Sequence, residues 1–393
     1  VHPKESKPNL VIMLLASTFI YDPRVKNEAE SLRDHGYEIT VLSWDRTARQ
    51  PRSFNSHGVS VESWRLLPGT TFSKARYAIS AILFQFVCLS WCLKHARDKP
   101  VIIHAHDFNT LLAAVLFKLI SPRSTLIYDS HELTPAAFAE WYGPTMGALA
   151  GSIERSLLRF VDKVITVSPP IKQYLSKITD RPIFLVYNTI KLSQVPKQDK
   201  EWWRERCGLD QGFFVVSYVG GLREDAAVDA LVEAARECKS VADNVRFIIV
   251  GDGTSLSELR RRAVGTERYL EFLPRVPHEV ALGYVKASDI TFAVYKDLGD
   301  NTRIAMPWKV FESMACGTPV LVRGDTYTWR FVESLGVGLS AGKGSAEEIS
   351  DQIVWALKHR DLLESVSDQG RRSFVSKFNW DNQAETLLEA YQS

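Results

Sequence analysis

Short, continuous apolar runs alternate with amphipathic stretches along the chain. The runs at 9–16, EITVLSW (38–44), VIIHAH (101–106), TLIYDS (125–130), KVITVS (163–168) and FLVYN (184–188) are rich in β-branched residues and lack polar alternation. That pattern belongs to strands buried on both faces. Helical spacing covers Arg24–Gly36, about 75–97, Phe108–Ile120 and Gly147–Phe160, the first closing on a glycine suited to a helix end. Residues 191–200 are polar, contain Pro196 and show no periodicity, so they read as a linker. A second series follows: FFVVSYVGG (213–221), VRFIIVGDG (245–253), YLEFL (269–273), DITFAV (289–294) and PVLVRG (319–324), with helices at 226–238, 256–263, 278–287 and 308–315. This alternation predicts two doubly wound, parallel-sheet α/β domains at 1–190 and 201–377, followed by further helices to the end. Open parallel sheets bind ligands outside the carboxyl ends of their strands, so an interdomain cleft is the expected site.

Charge narrows the partners. The 393 residues hold 48 Lys and Arg against 46 Asp and Glu, without the basic excess of a nucleic-acid binder. Residues 1–190 carry 22 basic and 16 acidic side chains and the remainder 26 and 30, so the first half suits anionic partners such as phosphate or lipid. Within it, Arg46, Arg49, Arg52, Arg65, Lys74 and Arg76 face only Asp45 and Glu62, interleaved with Phe54, Trp64, Phe72 and Tyr77. This segment reads either as a solvated loop or as a surface resting peripherally on an anionic membrane. The seventeen uncharged residues Tyr77–Leu93 include Ser80, Gln85 and Ser90, which suits a core or partly membrane-facing helix better than a span. Five cysteines without a CxxC pair argue against a disulfide framework or structural zinc and for a reducing, cytoplasmic compartment.

Three constellations could carry chemistry. Gly220-Gly221 and Gly251-Asp252-Gly253 stand where strands turn into helices, the context in which backbone N–H groups hold phosphate; an ordinary turn is the plain alternative. His104 and His106 alternate on one strand end and share a face, the seed of a metal-dependent hydrolase reading; His106 also reads as a structural histidine. His131-Glu132 follows the next strand. In PWKVFESMACGTP (307–319), Pro307 and Gly317 bound a helix on which Lys309 and Glu312 are spaced i,i+3, so a helix salt bridge is the plain reading.

Taken together, these segments resemble the retaining nucleotide-sugar glycosyltransferases of glycosyltransferase family 4, with the GT-B fold of two Rossmann-like domains. The resemblance runs from about residue 10 to about 390 and rests on ordered segments: DPRVKNEAESLRDHGYEITVLSW (22–44), HAHDFNTLLAAV (104–115), YDSHEL (128–133), IERSLLRFVDKVITVS (153–168), VYN (186–188), YVGGLREDAAVDALVEAA (218–235), FIIVGDG (247–253), KASDITFAV (286–294), KVFESMACGTPVLV (309–322) and FNWDNQAETLLEAY (378–391).

The resemblance implies a nucleoside-diphosphate sugar donor held by the second domain, a glycan or polyprenyl-linked acceptor received by the first, a C-terminal helix at 378–393 that crosses back to the first domain, and no resident metal or cofactor. Glu312 matches the second Glu of the family's Glu-x7-Glu motif, which binds the ribose hydroxyls; His131 matches the histidine that contacts the donor sugar near the reacting carbon. Gly251, Asp252, Gly253, Arg275 and Val276 fall on loops around the base, and the turn containing Thr18, Asp22 and Arg24, with His106, falls on the acceptor side. The chain departs from the family at the diphosphate. Ile304 replaces the first Glu, although Asn301 is near; Gly221 and Ala226 stand where an Arg and a Lys are usual; Leu273-Pro274-Arg275 replaces Phe-x-Gly; no DxD triplet occurs. Lys309, Arg223 and Arg303 are the candidate replacement cations. A catalytically impaired GT-B relative or interaction subunit is therefore the alternative reading.

Overall fold

The computed structural model describes residues 9–46, 49–67, 74–239 and 243–392. It divides into two compact units, Val1–Tyr187 with Gln383–Ser393, and Asn188–Asn382.

The first unit is built on an eight-stranded sheet: β1 (Leu10–Leu15), β2 (Glu38–Trp44), β3 (Ser53–Ser56), β4 (Val59–Trp64), β5 (Val101–His106), β6 (Thr125–Ser130), β7 (Lys163–Thr166) and β8 (Ile183–Leu185). The strand order is β3-β4-β2-β1-β5-β6-β7-β8. All pairings are parallel except β3 with β4, an antiparallel hairpin at the edge. That hairpin was not anticipated, because β4 alternates buried and part-exposed positions instead of forming a continuous apolar run. The helices are α1 (Pro23–Asp34), α2 (Lys74–Ala96), α3 (Phe108–Ile120), α4 (Thr134–Tyr142) and α5 (Pro144–Leu157). α1 starts where Asp22 accepts the Val25 N–H and Pro23 takes the first helical position, which needs no donor.

The second unit has a six-stranded, all-parallel sheet: β9 (Phe214–Val219), β10 (Val245–Val250), β11 (Leu270–Leu273), β12 (Ile290–Phe292), β13 (Val320–Val322) and β14 (Gly338–Ser340), in the order β11-β10-β9-β12-β13-β14. Its core packs Phe214, Val216, Phe247, Ile249 and Phe292 against Leu231 and Ile353.

The units meet in sequence at different places from those expected at 190 and 377. Thr189 Oγ1 donates to the Phe378 carbonyl at 2.6 Å, the Trp380 N–H to Ile190 at 2.8 Å, and the Leu192 N–H to Asp381 Oδ2 at 3.0 Å. These bonds tie 189–192 to 378–381 and hold both stretches in the second unit. The expected linker 191–200 contains a 3-10 turn at Leu192–Gln194 and the first residue of the helix Lys200–Arg206. The helix Trp380–Gln392 passes into the first unit at Gln383, whose Oε1 accepts the Tyr187 N–H at 3.0 Å. Further along it, Lys163 Nζ donates to the Ala390 carbonyl at 2.8 Å, and the Tyr391 hydroxyl meets His104 Nδ1 at 2.6 Å.

Candidate functional site

In the first unit, polar side chains converge at the carboxyl ends of β5 and β6. Parallel register places His106 beside Asp129, and alternation brings His104 to the same face, its ring stacked 4.2 Å from that of His106. α1 adds Arg24 and Glu28, four residues apart and both turned inward. The Arg24 guanidinium forks onto Asp129, with Nη2 to Oδ1 at 3.0 Å and Nε to Oδ2 at 3.2 Å. Arg24 also donates to the Val186 carbonyl at 2.9 Å and pairs with Glu28 Oε1 at 2.9 Å. His131 Nε2 lies 2.7 Å from Asp129 Oδ2 and its Nδ1 3.3 Å from Asp107 Oδ2, while its backbone N–H donates to Asp107 Oδ1 at 3.2 Å. Asp107 reaches this position with φ +63, a left-handed conformation of the kind that costs a non-glycine residue about 1–3 kcal/mol.

The charge states follow from this packing. Burial alone would raise the Asp129 carboxyl, but Arg24 and His131 hold it well below the usual carboxylate range. Burial would likewise lower His131, yet Asp107 and Asp129 on its two nitrogens hold the imidazolium well above its ordinary value. Burial, with His104 alongside, pushes His106 down to about 3. Burial pushes the Glu28 carboxyl up to about 8, against the pull of an Arg24 that it shares with Asp129.

Residues expected to receive an acceptor are thus mostly interior. Arg24 is 4% exposed and His106 fully buried, both committed to the ion network, because the network needs a cation and a neutral ring beside Asp129. Thr18 is buried and accepts the Tyr21 N–H, and the Asp22 carboxylate caps α1. The His131 ring, 16% exposed, reaches the surface of the cluster. The hydrolase reading required His104 and His106 to come together, and they do. With Glu28 and Asp129 they present ligand atoms within 4.8 Å of one another. Arg24 already faces both carboxylates, so a metal ion there would have to share them with a guanidinium.

The second unit builds its strand ends from backbone. After β9, the Gly220 N–H donates to Val250 at 2.9 Å; after β10, the Gly251 N–H donates to Leu273 at 3.1 Å, and the Leu222 N–H to Asp252 at 3.0 Å. Gly251, at φ +152, sits where a Cβ would run into the Gly220 carbonyl oxygen, and a Cβ on Gly253 would strike that of Leu222. These glycines are required by the mutual approach of two turns. Gly221 continues the first turn, its carbonyl accepting from the Tyr218 hydroxyl at 2.6 Å. Asp252 is exposed and accepts the Gly253 N–H at 2.8 Å; Val276 packs on the Val215, Ile248 and Val250 cluster, and Arg275 lies exposed beside it.

The helix Trp308–Cys316 ends on Gly317 at φ +64 and points its first turn at β9. Lys309 Nζ donates to the Val219 carbonyl, stands 4.7 Å over the Tyr218 ring and closes on Gly220; burial lowers its pKa. Glu312 does not form the expected helix pair with Lys309 among the described contacts. It accepts instead from His278 Nε2 at 2.8 Å, at the start of the helix His278–Ala287. Arg223 is 69% exposed and tied to Asp225, Arg303 pairs with Asp297 at 2.7 Å, and Asn301 lies in the short helix Asp300–Ile304. Sequence reasoning placed Asp107 beside His104 and His106 at the strand end but assigned no role to it, nor to Glu28, Asp129, His278 or Tyr391. Asp129 stands in the quoted YDSHEL, but its role depends on register with β5.

Two parallel-sheet α/β units, one ending in a buried ion network and the other in glycine-packed turns beside a carboxylate-bearing helix, define a GT-B architecture. Residues 21–188 match the model of the glycosyl transferase 4-like domain, and residues 199–373 that of glycosyl transferases group 1. The chain belongs to the GT-B glycosyltransferases of the family 4 type.

A D-inositol 3-phosphate glycosyltransferase of Rhodococcus erythropolis is 28% identical over 204 residues, 49% of this chain and 44% of that relative. A GDP-mannose-dependent monoacylated alpha-(1-6)-phosphatidylinositol monomannoside mannosyltransferase of Corynebacterium glutamicum is 22% identical over 197 residues, 50% of this chain and 51% of that protein. The matched region thus spans about half the length of these relatives. In fold, the chain is similar to sucrose-phosphate synthase from Thermosynechococcus elongatus, with TM-score 0.79, 17% identity and 98% of both chains covered. It is also similar to Anabaena HepE in complex with UDP-glucose, with TM-score 0.70, 16% identity, and 96% of this chain and 98% of that one covered.

Proposed function

We propose that the chain is a retaining glycosyltransferase moving a sugar from a nucleoside-diphosphate sugar to a hydroxyl of a glycan or lipid-linked acceptor. The observation that carries this reading is Lys309 donating to the Val219 carbonyl, which sets the first turn of the Glu312 helix against the glycine turn after β9. A helix N-terminus and its neighbouring backbone N–H groups suit a diphosphate, and the lysine adds a cation. Glu312 would hold the ribose: a carboxylate offers about four acceptor sites, and the His278 bond takes one. The HepE complex with UDP-glucose is the precedent for the donor class. His131 would orient the transferred sugar, and the reaction needs no resident metal or cofactor. All five cysteines are unpaired, in keeping with a reducing, cytoplasmic setting.

Calorimetric titration with UDP and GDP tests the site. Glu312→Ala should weaken nucleotide binding by about 2–3 kcal/mol, the worth of two charge-assisted hydrogen bonds, with the melting temperature nearly unchanged. If Glu312 serves only His278, Glu312→Ala and His278→Ala will cost similar small amounts of stability and leave affinity unmoved, and the assignment fails. The catalytically silent reading is favoured by Arg223 and Arg303 being paired with Asp225 and Asp297. Nucleotide binding without turnover of any donor sugar would select it.

A further inference from the structure

α2, α3 and α5 immediately precede β5, β6 and β7, three neighbouring parallel strands, and α3 packs against both other helices. Each helix has a buried stripe and an apolar outer one. On α2, Phe84, Cys88 and Cys92 are buried at i,i+4 spacing, while Ile79, Ile82 and Phe86 face outward, the last two 58% and 63% exposed. On α3, Leu112 and Leu119 face outward; on α5, Leu149 does. Isolated exposed apolar residues need no explanation, but three adjacent helices with aligned apolar outer stripes form a patch that water does not favour.

The charge on these helices has one sign. α2 and α3 contain no Asp or Glu, and the one acid of α5, Glu154, is buried and accepts from the Tyr128 and Thr134 hydroxyls. Because the helices run back to adjacent parallel strands, their C-terminal ends share one edge of the sheet. That edge carries exposed Lys94, Arg123, Arg155 and Arg159. Of its acids, Asp98 is exposed and Asp162 is taken by Lys118 at 2.9 Å. Several of the residues expected within 46–76 to meet a membrane have partners inside the first unit. Arg46 stacks 4.8 Å over Trp44, Arg52 3.8 Å over Trp64, and Arg76 donates to the Leu67 carbonyl at 2.9 Å; Phe72 lies outside the described residues.

We propose that the outer face of α2, α3 and α5 docks on an anionic lipid bilayer, with the apolar stripes in the acyl boundary and the basic edge among the headgroups. The segment Arg76–Ala96 is long and apolar enough to cross a membrane by length and composition. Its inner stripe belongs to the protein core, however, so it lies in the interface plane. The proposal concerns a surface of the first unit and holds whether or not the chain transfers sugar.

Flotation of the full chain with phosphatidylglycerol–phosphatidylcholine vesicles, against phosphatidylcholine alone, tests it. Recovery should be high with anionic vesicles, fall in about 0.5 M salt, and drop about tenfold or more in the double variant Ile82→Glu, Phe86→Glu. Both positions are exposed, so the variant should melt with the wild type. Arg52→Glu should float unchanged, since its charge lies outside the face. Equal recovery on neutral and anionic vesicles, or undiminished flotation of the double variant, overturns the proposal. So does a wild-type dimer that the double variant dissolves in the absence of vesicle binding, which would make the face a self-association surface.

Discussion

The strand ends of the two units solve the same problem by opposite means. In the first unit, Arg24, Glu28, His104, His106 and Asp129 are withdrawn from water and compensate one another, with His131 at the margin. In the second, Gly251 and Gly253 let backbone meet backbone, Gly220 leaves room for the Lys309 side chain, and Arg223 nearby is paired with Asp225 at the surface. A buried network cannot lose one member without stranding the others. A turn packed through its glycines depends on the absence of side chains and leaves neighbouring positions open to exchange. This contrast is consistent with the departures from the family pattern at Gly221, Ala226 and Ile304 lying in the second unit, where the fold does not depend on the residues lost.

The contrast can be broken most directly at Asp129. Asp129→Asn strands Arg24 and His131 in the interior and should cost about 3–5 kcal/mol in denaturant unfolding, while an exposed pair such as Arg223–Asp225 is worth under about 1 kcal/mol. A loss below 1 kcal/mol would show that the network is no more coupled than a surface pair.

Gly251→Ala probes the other side. The new methyl meets the Gly220 carbonyl, so stability should fall by about 1–3 kcal/mol and nucleotide affinity should fall with it. Wild-type stability and affinity would mean that the turns can separate freely.

The last expected effect is a slope with pH. Glu28 is held at about 8 in the folded chain, above its unfolded value, so the unfolded chain ionises first and stability declines as pH rises from about 4.5 to 8. Glu28→Gln, neutral throughout, should lack this component, so its stability relative to wild type should rise with pH across that window. Parallel pH curves for the two proteins would show that Glu28 ionises normally.

How far the molecule was legible from its sequence depended on burial. β2, β5, β6 and α3 occupy the residues that their apolar patterns predicted, because both faces of those strands are covered. The hairpin β3–β4, helix α4 and strand β14 escaped notice; they are short, lie at edges or have only part-buried positions. Among the chemical residues, Glu312 and His131 were marked by the resemblance to the family, whose motifs they match. Their partners were not. His278 meets Glu312 across 34 positions, and Asp129 meets Arg24 across 105, separations fixed by strand register and helix docking.

The Tyr391 hydroxyl against His104 has a consequence for the order of assembly. The first sheet is translated early, but the helical turns that satisfy its buried histidine emerge only after the whole of Asn188–Asn382. At about 5–20 residues per second, the ribosome holds the first unit without them for about 10–40 s. During that interval His104 lacks its hydroxyl partner and Tyr187 its Gln383 acceptor. The first domain to be made is therefore the last to be finished, and its final stability is conferred by the tail of the chain.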